Sequence, residues 1–391
     1  MPCLRQPLIY AMEATSLQNL DKKPKAKARR ALLVGLIRPG YPGYVVEEHL
    51  DELADLAASN DIEVVGRMIQ KRRSPDTATF IGRGKTDELA LAADELRAQL
   101  VVFDDDLSPS QVKNLEDRIE AAVIDRSALI LDIFVQRART REARTQVELA
   151  QLNYLLPRLT RRWTHLSRQV GGIGVRGGEG ETQLEADRRM LRQRIKRLKK
   201  DLAKIDRTRE LQRHNRRDAR TVALAGYTNA GKSTLFNRLT RAGVHVEDRL
   251  FATLDSRLRR GALKGRETAV FSDTVGFIRK LPHHLVASFR STLGDIVEGD
   301  VVLHVIDRSN PRWQEQAEIG DEVLIDLGVE PERVVRVFNK TDRLNGGTRE
   351  SRSPDENGDI WLSAVTGDGV ESLKAEILRR LGSGGPEALR S

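Results

Sequence analysis

The run Gly226-Tyr227-Thr228-Asn229-Ala230-Gly231-Lys232-Ser233-Thr234 has the residue types and spacing to cradle a phosphate chain. It follows an apolar strand, Val222 to Ala225, and opens into a helical pattern at Leu235 and Phe236. In that setting successive backbone N–H groups point inward, and the helix N-terminus adds its positive dipole end. Lys232 then reaches the β- and γ-phosphates, and the Ser233 hydroxyl is a ligand for Mg²⁺. Further along, Asp273-Thr274-Val275-Gly276 ends a strand. Its carboxylate would hold Mg²⁺ through water, and the Gly276 N–H would meet the γ-phosphate with no side chain in the way. Thr253, in the segment from Asp248 through Phe251 and Ala252 to Asp255, is the candidate second hydroxyl ligand, released when the γ-phosphate leaves.

The base is read by Asn339-Lys340-Thr341-Asp342. A carboxylate accepts from the ring N–H and exocyclic amine of guanine, whereas adenine would leave Asp342 unpaired, so the residue selects guanine. Ser363-Ala364, with Val365 beside them, follow the last strand, where a backbone N–H can donate to the guanine oxygen. Lys232, Thr253 and Gly276 are the expected groups at the reacting phosphate. Phe277 stands after Gly276, where many GTPases place a glutamine that orients water. An aromatic ring cannot do that, so slow unassisted hydrolysis is expected.

These residues need a doubly wound α/β domain to position them, expected over 221–381 with strands near Val222–Ala225, Leu258–Leu263, Ala269–Asp273, Val301–Ile306, Val334–Phe338 and Ile360–Leu362. Such sheets bind ligands at the carboxyl ends of their strands. Upstream, residues 31–127 alternate short apolar runs with amphipathic helices and predict a small α/β domain with a mostly parallel sheet. Its Gly82-Arg83-Gly84-Lys85 reads either as a turn at a strand end or as a phosphate or RNA contact.

Residues 128–220 predict a long helical pair. One helix runs from near Ala128 to about Leu156, where Pro157 interrupts it. The second starts at Leu184, and Leu184, Leu191, Ile195, Leu198, Leu202 and Ile205 draw an apolar seam that would pack antiparallel on the first. Between them lies Gly171-Gly172-Ile173-Gly174-Val175-Arg176-Gly177-Gly178, a linker or a loop facing nucleic acid. Arg158, Arg161, Arg162, Gly171, Gly172, Arg176, Arg188 and Arg189 are the candidate RNA contacts in this region. Residues 1–30 form a basic arm, solvated or in contact with RNA, and 382–391 a glycine-containing tail.

The composition agrees with a polyanionic partner. The 391 residues carry a formal net charge of +9, with 31% charged residues. No apolar stretch approaches bilayer-spanning length, and the N-terminus lacks an apolar leader core, so a cytoplasmic location is expected. Cys3 is the single cysteine, which excludes an internal disulfide and a cysteine-rich zinc site.

The glycine loop, Asp273–Gly276, Asn339–Asp342 and Ser363-Ala364 resemble the guanine-nucleotide motifs of the translation-factor-related P-loop GTPases. The first half resembles the HflX family in particular. The likeness lies in Thr79-Phe80-Ile81-Gly82-Arg83-Gly84-Lys85, Val102-Phe103-Asp104, Ile124-Asp125-Arg126, Gln136-Arg137-Ala138-Arg139-Thr140, Gln146–Leu152, and Gly171-Gly172-Ile173-Gly174 running to Glu185–Arg189. The resemblance implies a GTPase that binds GTP, GDP and Mg²⁺, docks on ribosomal RNA of the large subunit, and separates stalled ribosomes; a monomer is expected. It also implies ATP as a second nucleotide at the N-terminal domain, which no residue pattern here supports directly. Two readings stay open beside ribosome splitting: a GTP-gated assembly or RNA-binding protein, and an ATP-using RNA helicase. The glycine loop here reads Arg-Gly-Gly-Glu-Gly-Glu where many relatives have a shorter Arg-Gly-Pro-Gly-Glu, which changes the reach of the tip.

Overall fold

The computed structural model describes residues 29–40, 42–159, 183–214, 219–243, 249–251, 253–280, 290–344 and 358–383. The chain divides into two compact units, Met1–Ala138 with Arg144–Leu202, and Arg139–Ala143 with Ala203–Ser391.

The first unit contains β1 (Arg29–Ile37), α1 (Gly43–Ser59), β2 (Ile62–Lys71), α2 (Arg83–Glu95), β3 (Leu100–Phe103), α3 (Pro109–Glu116), β4 (Ala122–Asp125) and α4 (Arg126–Arg137). Its four strands lie in the order β2-β1-β3-β4, all parallel. The unbroken apolar run Ala31–Leu36 is buried throughout, as a central parallel strand covered on both faces requires. Helix α3 starts on a capping box: Ser108 Oγ accepts the Gln111 N–H at 3.2 Å, and Gln111 Oε1 accepts the Ser108 N–H at 2.9 Å.

Where β4 meets α4, charged groups are buried together. Arg126, 1% exposed, donates to Asp104 Oδ1 at 2.7 Å and also bonds Glu52. Asp125 accepts from the Ala128 N–H at 2.9 Å, capping α4, and from Tyr154 Oη at 3.0 Å. Burial raises the Asp125 carboxyl above the usual range despite the nearby Arg158.

The single helix expected from Ala128 to about Leu156 is two helices, α4 and α5 (Arg141–Leu155). Ala138 turns to ψ 110° after α4, and Thr140 Oγ1 accepts the Ala143 N–H at 3.1 Å. The hydroxyl competes for the backbone and starts a new helix without glycine or proline. Helix α6 (Gln183–His214) supplies Ile195 and Leu198 to a cluster with Leu149 and Leu152 of α5, flanked by Leu156, Leu191 and Leu202. Arg194 donates to both Glu148 carboxylate oxygens, at 2.6 and 2.9 Å, and Arg188 donates to Leu159 O at 3.2 Å. Higher numbers on α6 meet lower numbers on α5, so the two run antiparallel. The Leu184 side chain, the glycine-rich stretch with Arg161, Arg162, Gly171, Gly172 and Arg176, residues 1–28 of the basic arm and Ala252 lie outside the described residues. Arg29 and Arg30, expected in the arm, instead open β1, paired with Ile62 and Glu63 of β2.

The second unit contains β5 (Thr221–Gly226), α7 (Lys232–Thr240), β6 (Arg257–Ala262), β7 (Thr268–Asp273), α8 (Arg290–Glu298), β8 (Val301–Asp307), α9 (Trp313–Asp326), β9 (Val334–Asn339), β10 (Ile360–Trp361) and α10 (Val370–Ser383). The six-stranded sheet has the order β10-β9-β8-β5-β7-β6. Only β6, at the edge, is antiparallel, pairing with β7. Val222, Leu224, Leu303, Val305 and Val337 bury their side chains with Leu235, Phe236 and Leu239 of α7 and Leu373 and Ile377 of α10. The strand order reverses beside β5, which opens the crevice where such a sheet binds its ligand. Among the described residues no helix is long and apolar enough to cross a membrane.

Candidate nucleotide site

The carboxyl ends of β5, β7, β9 and β10 converge on a cleft of about 270 Å³. Of the residues expected from sequence, Thr228, Asn229, Gly231, Lys232, Ser233, Thr234, Phe251, Thr253, Thr274, Gly276, Asn339, Lys340, Asp342, Ala364 and Val365 line it. Gly226, Tyr227, Ala230, Asp273, Val275, Thr341 and Ser363 are not on the lining. Arg249 and Arg343 line it as well. Neither was singled out from sequence, although Arg249 lies within the segment around Thr253 and Arg343 follows Asp342.

The phosphate loop is built by glycines where no other residue fits. Gly226 has φ +139°, and a Cβ there would lie 2.2 Å from Val305 O; Gly231 has φ +91°, and its Cβ would lie 2.3 Å from Asn339 Nδ2. Lys232 is 6% exposed and donates to Gly226 O at 3.0 Å and Tyr227 O at 2.7 Å. Burial lowers its pKa to about 8; Asp273 opposes the shift and Lys340 adds to it.

Ser233 Oγ donates to Asp273 Oδ2 at 2.8 Å and lies 2.9 Å from Thr253 Oγ1, which is itself 3.3 Å from the same carboxylate oxygen. Asp273 Oδ1 is buried and has no hydrogen-bond partner among the described residues. Burial raises this carboxyl, while Ser233 and Lys232 hold it down. Two hydroxyls and an under-satisfied carboxylate are hard oxygen donors, and one or two such protein groups beside phosphate suit magnesium. The donor set therefore fits the metal expected there.

Gly276 approaches this corner closely: a Cβ on it would come within 2.8 Å of Thr228 Cα and 2.9 Å of Lys232 Nζ. Phe277, the residue after it, is only 2% exposed and does not line the cleft. Its N–H donates to Gly226 O at 2.9 Å, its carbonyl accepts the Thr228 N–H at 2.7 Å, and the Arg279 N–H donates to Tyr227 Oη at 2.9 Å. The start of this segment is thus stapled to the phosphate loop, with the ring turned into the core.

At the other end, Asn339 Nδ2 donates to Ala230 O at 2.9 Å, tying the base motif to the phosphate loop. Asn339 Oδ1 accepts the Ala364 N–H at 3.0 Å. Ser363 Oγ donates to Asp342 Oδ1 at 2.5 Å and so orients the carboxylate that would read the base. Lys340, in the left-handed region at φ 63°, lies 2.7 Å from Asp307 Oδ2.

Among the candidate RNA residues, Arg158 is spent within the fold. It donates to Asp125 Oδ2 at 3.0 Å and Leu107 O at 2.8 Å, and its guanidinium stacks 3.6 Å from the Tyr154 ring centroid. That commitment withdraws it from the cations offered to a polyanion. Arg188 is half-buried against Leu159 O, and Arg189 is exposed.

A doubly wound sheet whose phosphate loop, hydroxyl pair and base-reading Asn339, Lys340 and Asp342 line one cleft defines a P-loop GTPase. Comparison with known proteins narrows the class. Residues 47–135 match the family model described as GTP-binding GTPase N-terminal, 137–216 the GTP-binding GTPase middle region, and 221–340 the 50S ribosome-binding GTPase. The GTPase HflX of Magnetococcus marinus is 47% identical over 355 residues, spanning 90% of this chain and 82% of the relative. That of Escherichia coli K12 is 47% identical over 338 residues, spanning 85% and 79%. The crystal structure of SsGBP in complex with GDP shares the fold at a TM-score of 0.50 and 23% identity, over 91% of this chain and 99% of that one. The chain belongs to the HflX family of GTPases.

Proposed function

We propose that this protein hydrolyses GTP to GDP and phosphate, binds the large ribosomal subunit through its RNA, and uses the nucleotide cycle to separate stalled ribosomes into subunits. The observation that carries the nucleotide part is one cleft with Lys232, Ser233, Thr253 and Gly276 at one end and Asn339, Asp342 and Ala364 at the other. Lys232 offsets charge on the β- and γ-phosphates, the Gly276 N–H donates to a γ-phosphate oxygen, and Asp342 accepts from guanine. Ser233 and Thr253, with Asp273 through water, would hold Mg²⁺, which neutralises phosphate charge when bound. Water attacks the γ-phosphorus, the bond to the bridging oxygen breaks, and GDP leaves with that electron pair.

With Phe277 packed in the core, no side chain from that position orients the water. The ribosome then supplies the missing group or orders the loops; a cation supplied in trans raises such rates about 10³–10⁵-fold where it occurs. The ribosome reading is supported by the family and by the exposed Arg192, Lys196, Arg197, Lys199 and Lys200 on α6. We place the protein in the cytoplasm as a monomer, with the domain boundaries of 31–127, 128–220 and 221–381.

Sedimentation of intact ribosomes with the protein and a non-hydrolysable GTP analogue tests splitting. Free subunits are the expected product. Intact ribosomes carrying bound protein would instead favour an assembly or RNA-binding role.

A further inference from the structure

We infer that Arg238 is a positioning residue for guanine recognition, acting through two consecutive peptide groups of the loop after β10. Arg238 lies on α7, on the helix that begins with Lys232. Its Nε donates to Ala364 O at 3.1 Å, and its Nη2 donates to Val365 O. Among the described residues no carboxylate pairs with it. The guanidinium is therefore spent on main-chain carbonyls of a loop 126 residues away in sequence.

A trans peptide is planar, so its C=O and its N–H point in opposite directions. Holding the Ala364 carbonyl on the α7 side fixes the Val365 N–H on the other side. Ala364 and Val365 both border the cleft there, beside Asp342. With the Ala364 N–H committed to Asn339 Oδ1, the Val365 N–H is the donor this loop presents to the 6-oxygen of guanine. The second clamped carbonyl, that of Val365, belongs to the same peptide as the Thr366 N–H. That N–H donates to Ser363 Oγ at 3.1 Å, and Ser363 Oγ donates to Asp342 Oδ1 at 2.5 Å. One guanidinium thereby sets both sides of base recognition: the donor to the 6-oxygen directly, and the Asp342 carboxylate through Ser363. The planar fork of arginine suits two adjacent carbonyls, which a single-point cation would hold less well.

The inference rests on reading the cleft as a guanine-nucleotide site, and the experiment separates the two. Binding of GDP, GTP, 6-thio-GTP and ITP to wild type, Arg238→Ala and Arg238→Gln is measured, together with kcat and KM for GTP and thermal unfolding. The first analogue replaces the 6-oxygen by sulfur, and the second lacks the 2-amine. Wild type should prefer GTP over both analogues. In Arg238→Ala the Kd for GDP and GTP should rise about tenfold or more, as expected for loss of charge-assisted hydrogen bonds. Its preference for GTP over each analogue should shrink, KM should rise, and kcat at saturating GTP should hold. Arg238→Gln, which keeps one amide donor, should recover part of the affinity and covers the case in which Arg238→Ala does not fold. Unchanged affinity would overturn the inference. An equal loss for every nucleotide with preferences intact, or a loss that merely follows a fall in thermal stability, would overturn it too. Wild type binding no guanine nucleotide would overturn the underlying reading instead.

Discussion

The Phe277 carbonyl accepts the Thr228 N–H at 2.7 Å, holding the residue after Gly276 against the phosphate loop with its ring buried. In this arrangement a polar side chain at position 277 enters the core rather than the cleft. Phe277→Gln is therefore expected to leave unassisted GTP hydrolysis no faster than wild type. It should also destabilise the fold by about 1–3 kcal/mol, because the buried amide lacks partners. Single-turnover hydrolysis and chemical denaturation check both, and a rate gain without ribosomes would contradict the packing argument.

Asp342 is held by Ser363 at 2.5 Å in the orientation that would accept from guanine. Asp342→Asn replaces an acceptor by a group that can donate. GTP affinity should fall about a hundredfold, as two charge-assisted hydrogen bonds are lost, and xanthosine triphosphate, which offers a 2-oxo acceptor, should bind better than to wild type. Competition binding with the two triphosphates reads the reversal.

Lys232 makes nucleotide binding a proton-linked event. In the free protein burial holds its pKa at about 8, below the ordinary 10.5 that it keeps when unfolded. The unfolded chain therefore binds more protons between these values, so the penalty on the free fold is fully present below about pH 8 and fades as pH rises toward 10.5. Phosphates restore the charged form and raise the pKa again. GDP binding should take up protons at about pH 8.5, and affinity should fall as pH rises through 8. Calorimetry in two buffers of different ionisation enthalpy measures the uptake, and an uptake of zero would contradict the assignment.

In the first unit, Arg126 is buried between Asp104 and Glu52. Arg126→Ala removes the guanidinium those carboxylates share, while His49 remains 3.5 Å from Asp104, and should cost about 3–5 kcal/mol. Hydrogen exchange should show protection lost in β1 and β3 while β5 keeps its own.

What was legible in the sequence follows from the range of the interactions involved. The phosphate loop, Asp273, Asn339 and Asp342 are short-range patterns at strand ends, and the structure gathers most of them on one cleft because each strand end is local. The seam Leu191, Ile195, Leu198 and Leu202 was legible for the same reason, since helical periodicity alone places these residues on one face. The break between α4 and α5 was not, because Thr140 starts the new helix without a glycine or proline to announce it. Arg158 reads as a surface cation from sequence because two of its partners, Asp125 and the Leu107 carbonyl, lie 33 and 51 residues away and meet it only in the fold. Arg238 carries no local signal, because its partners, the Ala364 and Val365 carbonyls, lie 126 and 127 residues further along the chain. Phe277 was legible as a missing glutamine but not as a core residue, since only the pairing with Gly226 and Thr228 turns its ring inward.

A GTPase without a water-orienting side chain at position 277 is expected to depend on ribosomal RNA to act. The GTPase rate measured with and without purified large ribosomal subunits, at low and high salt, tests it most directly. The expected result is slow turnover alone, strong stimulation by subunits, and loss of that stimulation as salt weakens phosphate contacts. Rapid turnover by the isolated protein, with subunits adding nothing at either salt, would contradict it.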